Sequence, residues 1–439
     1  MQRDITHCQK KEGMALRNFR CMVPVAFLLM LVLSSTGCTP QLVLPNAATP
    51  ATTLRVWLWP GSGLETSVKA YVLSHPHIDI EVITAQFDDM VPSLITSFAT
   101  RSDAPDLVLL DVSQLNQLKR FPMHFYNLYD FGDEREHYLE WKWRQAESKD
   151  GKMLYGMPAD IGPVALAYRY DLFQAAGLPY ERTEVGDKLR SWDDLEKAGL
   201  LLKQKTGVFL FDNLANVYST YMNQLEDPSR TVLNAGHESL SARMKEAWER
   251  AIRFHRLGLN AGLPSQTPAW AEGAVSGQFA AVLAPSWVHG AMKKNAPATS
   301  GKWDLARAPG QSSNWQGSFL SVPKSSRYPK EAYELALWLT APQQQLSNFM
   351  ANGNFPSTPE SYASAKFLEV RDPFFHNAPV GQLYSYSALR YKTEYEETDY
   401  SRMDRIVRDG LRRVEAEGMN PGQAWISVIQ QIDEQTKGE

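Results

Sequence analysis

The sequence predicts an α/β protein with largely parallel sheets, and three observations carry that prediction. Leu54-Arg55-Val56-Trp57-Leu58-Trp59 alternates like a strand, residues 64–74 are helical in pattern, and Ile78-Asp79-Ile80-Glu81-Val82-Ile83 alternates again. Strand, helix and strand in so short a length make a right-handed crossover within a parallel sheet. Continuous apolar runs at 107–110, 164–167 and 279–284 have the look of strands buried on both faces. Finally, 439 residues, 44% of them hydrophobic, are enough for two or three domains with full cores.

The chain starts with an address. Lys10, Lys11, Arg17 and Arg20 precede an apolar run over 21–33, and small residues end at Gly37-Cys38. That length suits a signal peptide over 1–37 and is short for a spanning helix. Ser35-Thr36-Gly37-Cys38 is close to a lipobox, with Ser where Leu is usual; Cys38 would take the lipid and become the new N-terminus. Met14 is an alternative start, since residues 14–38 alone make a well-proportioned signal. Cys8, Cys21 and Cys38 are the three cysteines, which leaves the exported body with neither a disulfide framework nor a thiolate metal site. Residues 38–53, rich in Pro, Ala and Thr, read as a membrane tether. The net charge is −4, and −7 without residues 1–37, so nothing points to nucleic acid or to a basic membrane-binding surface.

Further along, Asp88-Asp89 is placed to cap a helix with Met90, Leu94 and Phe98 on one face. Ala104-Pro105-Asp106 leads into the buried strand that ends at Asp111, and residues 113–120 make the next helix. A Gly-Lys turn at 151, Tyr155-Gly156, Pro158 and Asp160 precede the strand at 164–167. A helix initiated by Asp171 follows, with Leu172, Phe173 and Ala176 inward and Gly177-Leu178-Pro179 as its stop. Ser191, with Asp194 three residues on, forms close to a capping box. Residues 239–257 and 270–278 are helical, and the strand at 279–284 delivers Pro285-Ser286-Trp287 to its C-terminal end. Residues 329–339 and 424–432 are the clearest late helices.

Taken in order, these segments resemble the extracellular solute-binding proteins (family 1, maltose-binding-like) of ABC importers. The stretch 151–179 is similar to that family's hinge crossover, departing at Ala167-Tyr168-Arg169-Tyr170, where the family usually has Tyr-Tyr-Asn. Pro105-Asp106 with its apolar run to Asp111, Ser191-Trp192-Asp193-Asp194-Leu195, the 279–287 segment, the returning stretch 314–323 and the 329–340 helix also match. The resemblance covers about residues 54–350 and thins afterwards. It implies a two-lobed periplasmic-binding-protein fold, type II-like, each lobe a mainly parallel sheet flanked by helices. The lobes would be 54–160 plus 320–355 and 161–319 plus 356–439, with the ligand cleft at the hinge.

Catalytic signatures are missing: no H-E-x-x-H, C-x-x-C, G-x-S-x-G or Walker-type loop is present. Neither a cofactor nor a metal is expected. Gly61-Ser62-Gly63 follows a strand and opens a helix, but its spacing misses a dinucleotide fingerprint and a tight turn is the simpler reading. Ligands of open α/β sheets sit outside the carboxyl ends of the strands, and aromatics and acids gather there. Trp57 and Trp59 end the first strand, Asp111 ends a buried one, Asp160 lies in the hinge loop, Trp287 follows the strand at 279–284, and Trp315 precedes the returning crossover. Trp270 joins them as a candidate, and Asn213, Asn216, Tyr218 and Tyr221 are placed where the second lobe begins to face the cleft. A sugar, with its apolar C–H face and ring of hydroxyls, is bound by aromatic stacking plus short polar side chains. Each candidate has a structural alternative: one of Trp57 and Trp59 in the core, Asp111 as a helix cap, Asp160 in a structural pair, Trp270 as core packing.

The resemblance implies a substrate-binding lipoprotein that captures a carbohydrate and delivers it to ABC permease subunits. It would be a monomer, exported and lipid-anchored, facing the periplasm or the extracellular surface, with no catalysis of its own. The alternatives are a lipid-anchored polysaccharide-active enzyme or a sensor subunit of the same fold, and, for the ligand, glycerol phosphate or another polar solute.

Overall fold

A computed structural model describes residues 52–100, 103–225, 236–392 and 400–436. The expected signal peptide, Cys38 and the tether up to residue 51 lie outside the described residues.

Among the described residues nine strands form two sheets: β1 (Thr52–Leu58), β2 (Ile78–Thr84), β3 (Leu107–Asp111), β4 (Met157–Pro158), β5 (Val164–Arg169), β6 (Phe209–Phe211), β7 (Phe279–Pro285), β8 (Trp303–Arg307) and β9 (Ser318–Ser321). The first sheet is ordered β2-β1-β3-β9-β4 and the second β6-β7-β5-β8. β1 is parallel to β2 and β3, as the strand-helix-strand reading predicts, whereas β9 runs antiparallel to β3 and β4. In the second sheet β6 and β7 are parallel and β5 opposes β7 and β8. Each sheet is therefore mixed, with one strand set against the rest.

The odd strand in each sheet is the first that the chain enters from the other sheet. Strands fed by helices within a lobe run toward the cleft and end there, whereas a short crossover delivers its strand from the cleft side. The register records this: Ser318, where β9 begins, pairs with Asp111, where β3 ends, and Val164, where β5 begins, pairs with Pro285, where β7 ends. β3, β5 and β7 are buried along their whole length, as continuous apolar runs require, and β2 is the half-exposed edge.

The apolar core of the first lobe draws on residues from Leu54 to Ala159 and from Phe319 to Leu339. The second sheet separates two further clusters. Leu166 and Tyr168 of β5 face one and Ala165 and Ala167 the other, the two-residue alternation of a strand. The helix Pro342–Asn352 sends Leu346 and Phe349 into the second of these, beside Phe355. Trp141 reaches the same cluster from the first-lobe helix Glu140–Ala146, donating its indole N–H to the Ala388 carbonyl at 3.1 Å.

Local signals mostly place the helices. Ser191 and Asp194 form a reciprocal capping box on the helix Trp192–Thr206, which stops at Gly207 in the left-handed region. The helix after β5 differs from expectation. It spans Tyr170–Ala175, and Asp171 lies within its first turn instead of initiating it. There the guanidinium of buried Arg169 grips both Asp171 oxygens at 2.8 and 2.7 Å.

Three connecting segments run side by side between the sheets. Ile161 N–H donates to the Phe355 carbonyl at 2.9 Å, and Gly162 N–H to Asn314 Oδ1 at 2.9 Å. Trp315 N–H donates to the Gly162 carbonyl at 2.7 Å. A Cβ on Gly162 would lie 1.9 Å from the Trp315 carbonyl oxygen, so only glycine lets these backbones approach. We expect Gly162→Ala to lower stability by about 3 kcal/mol through forced displacement of the hinge, measured by urea unfolding; a loss below about 0.5 kcal/mol would refute this account.

A second buried polar feature lies where β6 meets the helix Leu214–Leu225. Asp212 is fully buried and accepts from Trp270 Nε1, Asn216 Nδ2, Ser265 Oγ and Asn213 N–H. Nearby, Glu415 Oε1 accepts from Leu214 N–H and Asn260 Nδ2, both at 2.8 Å. Burial pushes both carboxyls up to about 7, and the charge of Asp212 adds to the shift of Glu415. An upward shift makes protonation favour folding, so this contribution is complete below the ordinary carboxylate range and is lost as pH rises through about 7. Glu415→Gln keeps Oε1 as the acceptor of both bonds. It should flatten the decline in stability between about pH 5 and pH 8 by on the order of 2 kcal/mol, and unchanged urea midpoints across that range would contradict the assignment.

Candidate functional site

The ends of the parallel strands and the three connecting segments frame a cleft of two joined chambers. The larger, about 750 Å³, is lined by Trp59 and Asp111 from the first lobe, Trp287 from the second, and Asp160, Ser318 and Asn354 at its floor. The smaller, about 270 Å³, is lined by Trp315, Ser219, Asn223, Tyr391, Tyr400 and Arg405 among others. Phe87, Asp111, Trp287 and Gln316 line both chambers, so the two meet there.

Four of the seven residues singled out in the sequence, Trp59, Asp111, Asp160 and Trp287, come together in the larger chamber; Trp315 joins Asp111 and Trp287 in the smaller. Trp57 and Trp270 line neither. Alternation puts Trp57 and Trp59 on one face of β1, but Trp57 lies inside the strand and under the first core. Trp59 lies past the strand end, where Phe87 meets it edge-on at 5.5 Å. Trp270 is 1% exposed, and its indole is spent on Asp212 at 2.9 Å.

Asp111 serves both readings offered for it. It caps the helix Val112–Leu118 by accepting from Ser113 N–H at 2.8 Å, and Gln114 returns the bond to the Asp111 N–H at 3.0 Å. The same Gln114 amide donates to the Phe87 carbonyl at 2.7 Å, so the cap also holds an aromatic at the cleft. Burial raises the affinity of Asp111 for its proton, Asp160 adds to that, and Lys142 opposes it. Asp160 is bonded on both oxygens: Oδ1 accepts from Ser318 N–H and Oγ, each at 2.6 Å, and Oδ2 from Asn354 Nδ2 at 2.7 Å.

Gln316 has φ of 59° and Gly317 φ of 108°. A non-glycine residue held in the left-handed region at a ligand cleft is a form of stored strain, and here it turns Gln316 toward both chambers. His289, also lining the larger chamber, is hydrogen-bonded to the Tyr384 hydroxyl. Burial, with Lys293 adding, pushes His289 down to about 3, so it stays neutral near neutral pH.

Sequence reasoning missed Phe87, Gln316, Asn354 and the face of the helix Leu214–Leu225 that meets the cleft. That helix presents Ser219 and Asn223, four residues apart, to the smaller chamber. Asn213 and Asn216 instead join the Asp212 network, Tyr218 is core, and Tyr221 donates to Glu246 at 2.7 Å. The sequence carried no signal for this choice, since Asn216, Thr220 and Gln224 make an equally polar i, i+4 series on the same helix. No helix among the described residues is long and apolar enough to cross a membrane, and no cluster of metal-ligating side chains is found among them.

Two lobes of mixed sheet, hinged by adjacent segments around an aromatic and polar cleft, define a solute-binding protein. The description "Bacterial extracellular solute-binding protein" matches residues 66–372, and the chain belongs to that family. A solved extracellular solute-binding protein of family 1 superposes with a TM-score of 0.80 at 30% identity, covering 87% of this chain and 99% of that one. The ABC transporter associated binding protein from B. animalis subsp. lactis Bl-04, in complex with beta-1,6-galactobiose, shares the fold with a TM-score of 0.69 at 19% identity, over 87% of this chain and 98% of its own. The lactose-binding protein of Rhizobium radiobacter is 24% identical over 288 residues, 63% of this chain and 65% of its own length.

The placement of the tryptophans makes a prediction about stability. In the unliganded protein Trp57→Ala and Trp270→Ala should each cost about 3–5 kcal/mol of folding free energy, with Trp59→Ala and Trp287→Ala costing clearly less. Urea unfolding of the four variants checks this, and an inverted order would contradict it.

Proposed function

We propose that this protein captures a saccharide of two or more units in the cleft and hands it, in the closed form, to the membrane subunits of an ABC importer. The observation that carries the reading is the cleft's makeup. Trp59, in edge contact with Phe87, lines the cleft together with Trp287, Trp315 and the polar Asp160, Asn354 and Gln316. Flat apolar rings meet the C–H faces of a sugar, and fixed polar groups meet its hydroxyls. The continuation of the larger chamber into the smaller favours more than one sugar ring. The lactose-binding relative and the galactobiose-bound neighbour support a disaccharide.

The lobes in this proposal are those expected from the sequence, 54–160 with 320–355 and 161–319 with 356–439, save that Ser318 and Phe319 go with β9 to the first lobe; they close about the connecting segments because the closed form binds ligand better. Residues 1–37 direct export and are then removed, leaving lipidated Cys38 as the new N-terminus and residues 38–53 as the tether; the protein works as a monomer and does no chemistry on its ligand.

Thermal unfolding against lactose, beta-1,6-galactobiose, glucose and glycerol 3-phosphate tests this. Ligand at about 100 times Kd stabilises the folded state by about 2.7 kcal/mol, so one disaccharide should raise the midpoint and Trp287→Ala should abolish the rise. A response to glycerol 3-phosphate alone, or sugar products released in the tube, would overturn the proposal.

A further inference from the structure

A second cavity, of about 580 Å³, is built mainly on the first lobe, with Thr358 and Glu360 reaching it from just past the third connecting segment, and shares no lining residue with the cleft. It sits between the end of the helix Glu65–Ser74, the helix Pro329–Leu339 and the turn Arg135–His137. Its apolar surface is aromatic. Tyr71 meets Trp338 edge-on at 5.3 Å, and Tyr138 and Leu337 complete the wall. Tyr71 and Tyr138 are buried within the core, whereas Trp338 is only partly covered.

Glu134, Glu334 and Glu360 line the cavity together with the imidazoles of His75, stacked on Tyr71, and His137; no Lys or Arg does so among the described residues. Glu334 has an exposed contact with Lys330 at 3.8 Å, the kind of pair that contributes little. Glu134 meets His137 at 3.6 Å, and Glu360 has no ion-pair partner among the described residues. The field reaches the aromatic wall. Burial raises the proton affinity of Tyr71, and Glu334 and Glu331 raise it further. Tyr138 is raised by burial in the same way, with Glu134 adding.

We propose that this cavity is a binding site for a small organic cation with an apolar stem, an alkylammonium or alkylguanidinium. The stem would lie against Leu337 and the aromatic rings, and the charge would face the carboxylates and the π surface of Trp338. The volume lies within the usual range for small-molecule sites and exceeds what a single inserted side chain fills. The site is independent of the cleft, so its failure leaves the saccharide reading untouched.

Calorimetric titration of the intact protein with n-butylguanidinium, n-butylammonium, n-butanol and butyrate tests the assignment. Both cations should bind at one per chain, about tenfold or more tighter than butanol, with butyrate weakest. The double variant Glu334→Gln/Glu360→Gln, altered only at exposed positions, should lose that preference while its unfolding midpoint and its response to sugar stay put. Trp338→Leu, which keeps an apolar contact but removes the π face, should weaken the cations more than butanol. Butanol binding as tightly as the cations would mean a merely greasy groove. A cation affinity unchanged in the double variant would place binding elsewhere, and no cation binding at millimolar concentration would remove the site; any of these overturns the proposal.

Discussion

The architecture depends on one carboxylate. Asp160 lies in the first connecting segment and accepts from Ser318, 158 residues later, and from Asn354, 194 residues later. It thereby fastens all three segments that run between the sheets. Charge-assisted bonds of 2.6–2.7 Å are among the stronger polar contacts a protein makes. They act beside the packing of Ile161 and Phe355 in the core, while glycine at 162 and 317 lets the backbones pass. The floor of the cleft is polar for the same reason, since Asp160, Ser318 and Asn354, which join the segments, also line it.

A similar economy governs the first-lobe wall. Asp111 ends a strand, caps the next helix and faces both chambers. Its capping partner Gln114 reaches on to the Phe87 backbone. Helix capping, an ordinary local device, thus fixes the position of an aromatic side chain that comes from another part of the chain. The position of Trp287 has a comparable origin: β7 is buried throughout and ends at Pro285, so the next residues emerge at the cleft whatever their chemistry.

The second lobe shows why an abundance of tryptophan is a poor guide to a site. Trp270 carries an indole N–H that has to be satisfied when buried, and Asp212 satisfies it. That carboxylate in turn is tolerated in the interior because four donors converge on it. The Trp270–Asp212 pair and the Asn213 and Asn216 amides around it have the composition of a ligand site, yet they form a closed structural network away from the cleft.

The sequence by itself determined the buried strands, through unbroken apolar runs, and the start of the helix Trp192–Thr206, through Ser191 and Asp194. It also pointed to the aromatics and acids at strand ends, and five of those seven candidates line the cleft. Tertiary structure alone decided that Trp59 faces the cleft and Trp57 the core, since both occupy one strand face. It decided likewise that Ser219 and Asn223, and not Asn213 and Asn216, reach the smaller chamber. The reason is geometric. Periodicity reports neighbours within a few residues, and one residue of helix turns a side chain by about 100°. The cleft, by contrast, is assembled from segments whose approach is fixed by bonds spanning more than 150 residues, such as those of Asp160.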